Sequence, residues 1–164
     1  GSVLPTGTVV FMWKYFTTTY TIGTATLNSA GVATLTKSNL NADPYSMIAV
    51  YRGDTNNLSS TSADLNQTVL QTTSAAALTS SVNPSTIGPA ITFIAKITSP
   101  TVIPSGPVTF KAGTTVLGTA QLSSGKAIFT TSTLPAGSTV VKVTYDGSSN
   151  IKGSSASVTQ TVQP

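Results

Sequence analysis

The chain has 164 residues, a formal net charge of +4 and a sequence pI near 9.5, yet only 7% of its residues are charged and 39% are hydrophobic. It contains no Cys, His or Glu, which excludes a disulfide framework, a thiolate metal site, a thiol nucleophile and an imidazole base. Its basic residues (Lys14, Lys37, Arg52, Lys96, Lys111, Lys126, Lys142 and Lys152) stand singly, not in a stripe able to neutralise several phosphates together, so nucleic acid is not an expected partner.

Taken from the start, the chain reads as short runs of Val, Ile, Thr, Phe and Tyr broken by Gly, Pro, Asn or Ser, which predicts strands and no helix. The first strands are expected near Gly7–Tyr15, Tyr20–Leu27, Val32–Thr36, Ser46–Tyr51 and Asp64–Val69. A second series follows near Ala75–Val82, Ala90–Ile97, Gly106–Lys111, Thr115–Leu122, Lys126–Thr131, Ser138–Tyr145 and Ser155–Val162. Asn83-Pro84-Ser85 and Ile87-Gly88-Pro89 redirect the chain because proline cannot donate to a ladder. Lys111-Ala112-Gly113 and Ser123-Ser124-Gly125 put glycine where a hairpin needs positive φ. Alternation pairs Val108 with Phe110, Ala127 with Phe129, and Val141 with Val143 and Tyr145 on common faces, but leaves open which face is the core. No apolar run reaches the roughly 18 residues of a membrane span, and no charged start followed by an apolar stretch marks a signal peptide.

The two series are copies. Pro5-Thr6-Gly7-Thr8-Val9-Val10-Phe11 recurs as Pro104-Ser105-Gly106-Pro107-Val108-Thr109-Phe110, and Gly23-Thr24-Ala25-Thr26-Leu27 as Gly118-Thr119-Ala120-Gln121-Leu122. Tyr51-Arg52-Gly53 answers Tyr145-Asp146-Gly147, and Gln67-Thr68-Val69 answers Gln160-Thr161-Val162, so the copies stay in step. The segment from Thr72 to Ser99 has no counterpart in the first copy. The expected organisation is therefore an incomplete domain over residues 1–71, holding the later strands only, and a complete one over 72–164. A copy without its opening strands exposes core-facing side chains and unpaired edges, and something should cover them.

These motifs, in this order and at a common period, resemble the bacterial Ig-like repeat domains of secreted and cell-surface proteins. The resemblance rests on Pro104 to Phe110, Gly118 to Leu122, Tyr145 to Asn150 and Thr159 to Val162, with most of the same elements in the first copy. It implies an all-β fold of two tandem Ig-like β-sandwiches, the first lacking its opening strands. It also implies an extracellular or cell-surface location and a structural or adhesive role, and it carries over no catalytic residue.

Candidate sites are few. Asp43, Asp54, Asp64 and Asp146 lie far apart in sequence, and no enzyme activity, cofactor or metal is expected. Asp54 and Asp146 fall in the Tyr-x-Gly turns, where Asp serves turn formation; a calcium site wants six to eight oxygens from several carboxylates. Lys96 and Lys142, on strands, raise the idea of an intramolecular isopeptide bond, for which an Asp would have to act as proton shuttle.

The outstanding feature is the first hairpin, longer in the first copy and holding Trp13, Tyr15, Phe16 and Tyr20. Alternation puts Trp13 and Tyr15 on one face and Phe16 towards the other, so some of the four should be exposed. They are the candidate subunit or ligand contact, with a lid over the domain end and stacking against sugar rings as the competing readings. The expected partner is a further copy, in a homo-polymer built by head-to-tail contacts and completed by strand donation or packing between neighbours. A glycan or other cell-surface ligand, and a stalk fragment of a longer repeat protein, are the alternatives.

Overall fold

The computed structural model describes residues 3–164. The chain divides into two compact units, Gly1–Leu70 and Gln71–Pro164, and the regular elements among the described residues are all strands.

The first unit contains β1 (Thr8–Tyr15), β2 (Thr18–Thr26), β3 (Pro44–Tyr51), β4 (Ser60–Thr61) and β5 (Leu65–Thr68). They form one sheet in the order β2-β1-β3-β4, with β5 also paired to β3. Every pairing is antiparallel.

The second unit contains β6 (Ala75–Ser80), β7 (Ser85–Thr86), β8 (Ile91–Thr98), β9 (Gly106–Ala112), β10 (Thr115–Leu122), β11 (Lys126–Thr131), β12 (Gly137–Gly147) and β13 (Lys152–Gln163). Two sheets, β10-β9-β12-β13-β7 and β11-β8-β6, pack into a sandwich. The seven strands expected here all form. The eighth, β7, pairs parallel with β13 over two residues in the stretch read as a turn; so short a pairing leaves no alternation to detect.

Burial decides the open question of faces. Ile91, Phe93, Ala95 and Ile97 of β8 point inward with Val108, Phe110, Val141, Val143 and Tyr145 of the opposite sheet, while Lys96 and Thr98 between or beside them are exposed. The core is thus one layer of alternate residues from each sheet, the arrangement expected of two packed antiparallel sheets.

The strand expected at Val32–Thr36 does not form. Its counterpart, β11, is bonded to β8 from Lys126↔Lys96 through Thr131↔Ile91. Among the described residues the first unit has no strand in the place of β8, so the Val32–Thr36 backbone lacks a ladder partner and stays irregular. Its side chains still follow the repeat. A methyl group added at Gly23 would meet the Leu35 methyls at 3.0 Å, just as one added at Gly118 would meet the Phe129 ring at 2.5 Å. Leu35 therefore lies over the sheet where Phe129 does in the second unit.

The first hairpin turns through Phe16 and Thr17. Phe16 has φ of 52°, at the position where the β9/β10 hairpin has Gly113 with φ of 57°. A left-handed conformation costs a non-glycine residue about 1–2 kcal/mol, against about 0.5–1 kcal/mol for the extra freedom that glycine loses on folding. Phe16→Gly is thus expected to raise the stability of the first unit by about 0.5–1 kcal/mol, as the shift of the unfolding midpoint followed by fluorescence of Trp13, the single Trp in the chain.

Candidate interaction surface

Cross-strand register defines the inner face of the first sheet. Val9 pairs with Tyr51, Phe11 with Ala49 and Trp13 with Met47; Met47 in turn pairs with Leu65 and Tyr45 with Gln67. Partners directly opposite share a face. In the second unit the matching pairs, Val108 with Tyr145, Phe110 with Val143 and Ala112 with Val141, lie beneath β6 and β8. The same face of the first unit carries no second sheet among the described residues. What remains there is an apolar groove of about 510 Å³, whose lining includes Phe11, Ile22, Leu35, Leu40, Met47, Leu65 and Gln67. Phe110 is fully buried, whereas Phe11 is only partly so.

Two glutamines make the difference concrete. Gln160, fully buried, donates from its amide nitrogen to the Val82 carbonyl at 2.9 Å, the Thr161 carbonyl at 3.1 Å and the Ser85 hydroxyl at 3.3 Å. Its oxygen accepts from the Ser80 hydroxyl at 2.6 Å. Gln67, its counterpart on the rim of the groove, is exposed and donates to the Thr68 carbonyl at 3.1 Å, the equivalent of the Thr161 bond. The opening segment of the second unit supplies Ser80, Val82 and Ser85; among the described residues nothing in the first unit takes their place.

The opposite face of the first sheet also departs from its copy. Val10 pairs with Val50 and Met12 with Ile48, where the second unit has Thr109 with Thr144 and Lys111 with Lys142. An apolar row thus replaces a polar, basic one.

At the hairpin end of the inner face the aromatics gather. Trp13 stacks on Tyr20, with ring centres 5.0 Å apart and planes at 24°. It meets Tyr45 and Tyr15 edge-on at 5.3 and 5.8 Å. The Phe16 ring packs edge-on against Tyr15 at 4.8 Å. Phe16 leaves the alternation expected of it because the chain exits the strand at Tyr15. It is 89% exposed, and Tyr15 and Tyr20 are about half exposed. Tyr45, whose hydroxyl donates to the Asn41 carbonyl, was not legible as a fifth member because it lies on a different strand, far along the chain.

A model of the bacterial Ig-like domain, group 3, matches residues 1–70 and 78–163. The chain belongs to this bacterial Ig-like family. Among solved structures, the fibronectin(III)-like modules of Clostridium thermocellum CbhA align over 99% of this chain and 81% of theirs, at 17% identity and a TM-score of 0.48. Comparison with curated proteins finds no significant match.

The remaining candidates resolve into scaffolding of the Ig-like units. One Asp54 oxygen accepts from the Thr6 backbone and hydroxyl at 2.8 Å, the other from the backbone of Asn56 and Asn57 at 2.8 Å and the Asn57 amide at 3.0 Å. These donors, Thr6 foremost, hold its carboxyl well below the usual carboxylate range. The bond to Lys14, with a second from the Ser46 hydroxyl, lowers Asp64 as well. Among the described residues no three acidic side chains come together. Lys142 lies beside Lys111 and Ser157, and Lys96 beside Lys126 and Ala77. Neither has an Asn opposite it, so the isopeptide idea finds no geometry.

Because the folded-state value of Asp54 is depressed, the stabilisation it gives is complete above the unfolded value of about 4 and is lost as pH falls below it. Lowering the pH from 7 to 3 should therefore lower the first unit's thermal midpoint. In Asp54→Asn that decrease should shrink, with a lower midpoint already at pH 7; Trp13 fluorescence measured across the pH series checks both.

Proposed function

We propose that this chain is a non-enzymatic structural module of an extracellular or cell-surface assembly. Its first unit takes up strands from outside itself, and successive chains join head to tail into a filament. The observation that carries the reading is the open inner face: the first unit repeats residues that the second unit buries under β6 and β8, and Phe11, Met47 and Ala49 among them line a groove. An edge-to-edge strand partner would give such a face both main-chain hydrogen bonds and alternate side-chain pockets. A head-to-tail contact of that type does not close on itself and grows into a fibre.

One further feature supports contact between neighbours. The exposed aromatics Tyr15, Phe16 and Tyr20 around Trp13 have the composition favoured at interface cores, on a chain with few charges to repel a copy.

Sedimentation of the purified chain across a concentration series, followed by electron microscopy, tests the filament. Concentration-dependent growth into fibres is expected; a monomer at every concentration, with no fibres, would overturn it. Replacing Trp13 and Tyr15 by Ser should weaken assembly. Unchanged assembly together with lost binding to a glycan array would instead assign the hairpin to sugar recognition.

A further inference from the structure

We infer that Lys111 and Lys142, side by side on the outer face of the second unit, bind the carboxylates of a linear acidic polysaccharide. The inference shares only the cell-surface placement of the reading above and is independent of strand uptake. Charge on this chain is partitioned. Residues 1–70 set Lys14, Lys37 and Arg52 against Asp43, Asp54 and Asp64, whereas residues 71–164 set Lys96, Lys111, Lys126, Lys142 and Lys152 against Asp146 alone, so the net charge of +4 belongs to the second unit.

Strand pairing then brings together lysines that are far apart in sequence. Lys111 of β9 lies directly opposite Lys142 of β12, and like charges so placed, with Cβ atoms about 4.5–5.5 Å apart, repel and cost stability. The fold does not call for them, since the matching pair in the first unit is Met12 with Ile48. Nor is the repulsion relieved from within. Among the described residues the ion pair is Lys14 with Asp64, in the first unit, and Asp146 stands four residues beyond Lys142 along β12, about 13 Å at strand spacing. Lys111 is half-buried, held in mid-sheet between Val116 and Lys142. A carboxylate placed between the two ammonium groups accepts a charge-assisted hydrogen bond from each.

The neighbouring row selects the rest of the ligand. Thr119, Thr109, Thr144 and Ser155 lie in line across β10, β9, β12 and β13 on the same face, with Ser157 beside Lys142. Their hydroxyls both donate and accept, as those of a sugar do. Nucleic acid fits less well: two lysines neutralise few phosphates, and the rings of this unit, Phe93, Phe110, Phe129 and Tyr145, all face the core, leaving none for a base to stack on. Lys96 and Lys126 form a like pair on the other sheet, but both are exposed, Lys126 opens its strand, and the row beside them is Ile94 with Ile128. That pair is the internal control.

The full chain is titrated onto immobilised polygalacturonate, with dextran as the neutral comparison and double-stranded DNA as the other polyanion, read by biolayer interferometry. Binding to polygalacturonate is expected, weakened about tenfold by Lys111→Gln with Lys142→Gln and less than about twofold by Lys96→Gln with Lys126→Gln. Thr109→Val with Thr144→Val, which keeps every charge, should weaken it severalfold. The Lys111→Gln, Lys142→Gln chain should also melt higher than the unaltered chain at low salt, because repulsion is relieved, which excludes misfolding as the cause of lost binding. Equal weakening by the two lysine pairs, or DNA bound as tightly as polygalacturonate, would leave only general charge attraction and overturn the inference; so would no binding to polygalacturonate. Fibre growth of the same variants, followed by sedimentation, tests the filament separately.

Discussion

Phe110→Ala is expected to destabilise the second unit by about 3–5 kcal/mol, whereas Phe11→Ala, at the same place in the repeat, should cost the first unit only about 1–2 kcal/mol. The two side chains occupy equivalent register, opposite Val143 and Ala49. Phe110 is fully buried, stacked on Phe129 at 5.0 Å and enclosed by the β8 residues; its loss removes the transfer energy of a whole aromatic ring and leaves a cavity. Phe11 borders an existing groove, so truncation enlarges a space already open and forfeits only part of its burial. Denaturant titration separates the units, because Trp13 fluorescence reports the first and far-UV circular dichroism reports both. Equal losses would mean that the inner face of the first unit is covered.

The second large effect contrasts two glycines. Gly118→Ala drives a methyl to 2.5 Å from the Phe129 ring, which is held between the sheets and stacked on Phe110. Overpacking of this kind costs about 1–3 kcal/mol. At Gly23 the same methyl meets the ends of the Leu35 side chain at 3.0 Å, and Leu35 borders open space into which it can turn. Gly23→Ala should therefore cost less than about 1 kcal/mol, within the ordinary range for positions away from a tight core. Thermal unfolding of both variants checks the ranking, and a Gly23→Ala loss as large as that at Gly118 would contradict it.

The second unit was readable because each strand carries its own evidence. Ile91, Phe93, Ala95 and Ile97 alternate with Thr92, Ile94 and Lys96, and glycine or proline marks the turns between strands. Val32–Thr36 has a strand pattern just as good, and fails because a strand is a property of a pair; residues alone do not announce that the pairing partner is missing beside them. Gln67 and Gln160 look alike as letters in a repeated Gln-Thr-Val. Their difference lies in the bonds that Gln160 makes to Ser80, Val82 and Ser85, some 75 to 80 residues before it. The clasp between Asp54 and Thr6 spans 48 residues, and so was hidden for the same reason. Alternation did place Trp13 with Tyr15, which are two residues apart, but it had no means of bringing Tyr45 to the same cluster.

Amide hydrogen exchange of the full chain, with and without a synthetic peptide of residues 75–98, bears most directly on the claim that the first unit accepts strands. Without peptide, the Val32–Thr36 amides should exchange rapidly while those of Lys126–Thr131 bonded to β8 are protected. Added peptide should slow exchange in Val32–Thr36 and leave the second unit unchanged; exchange in Val32–Thr36 that stays fast at saturating peptide would contradict the account.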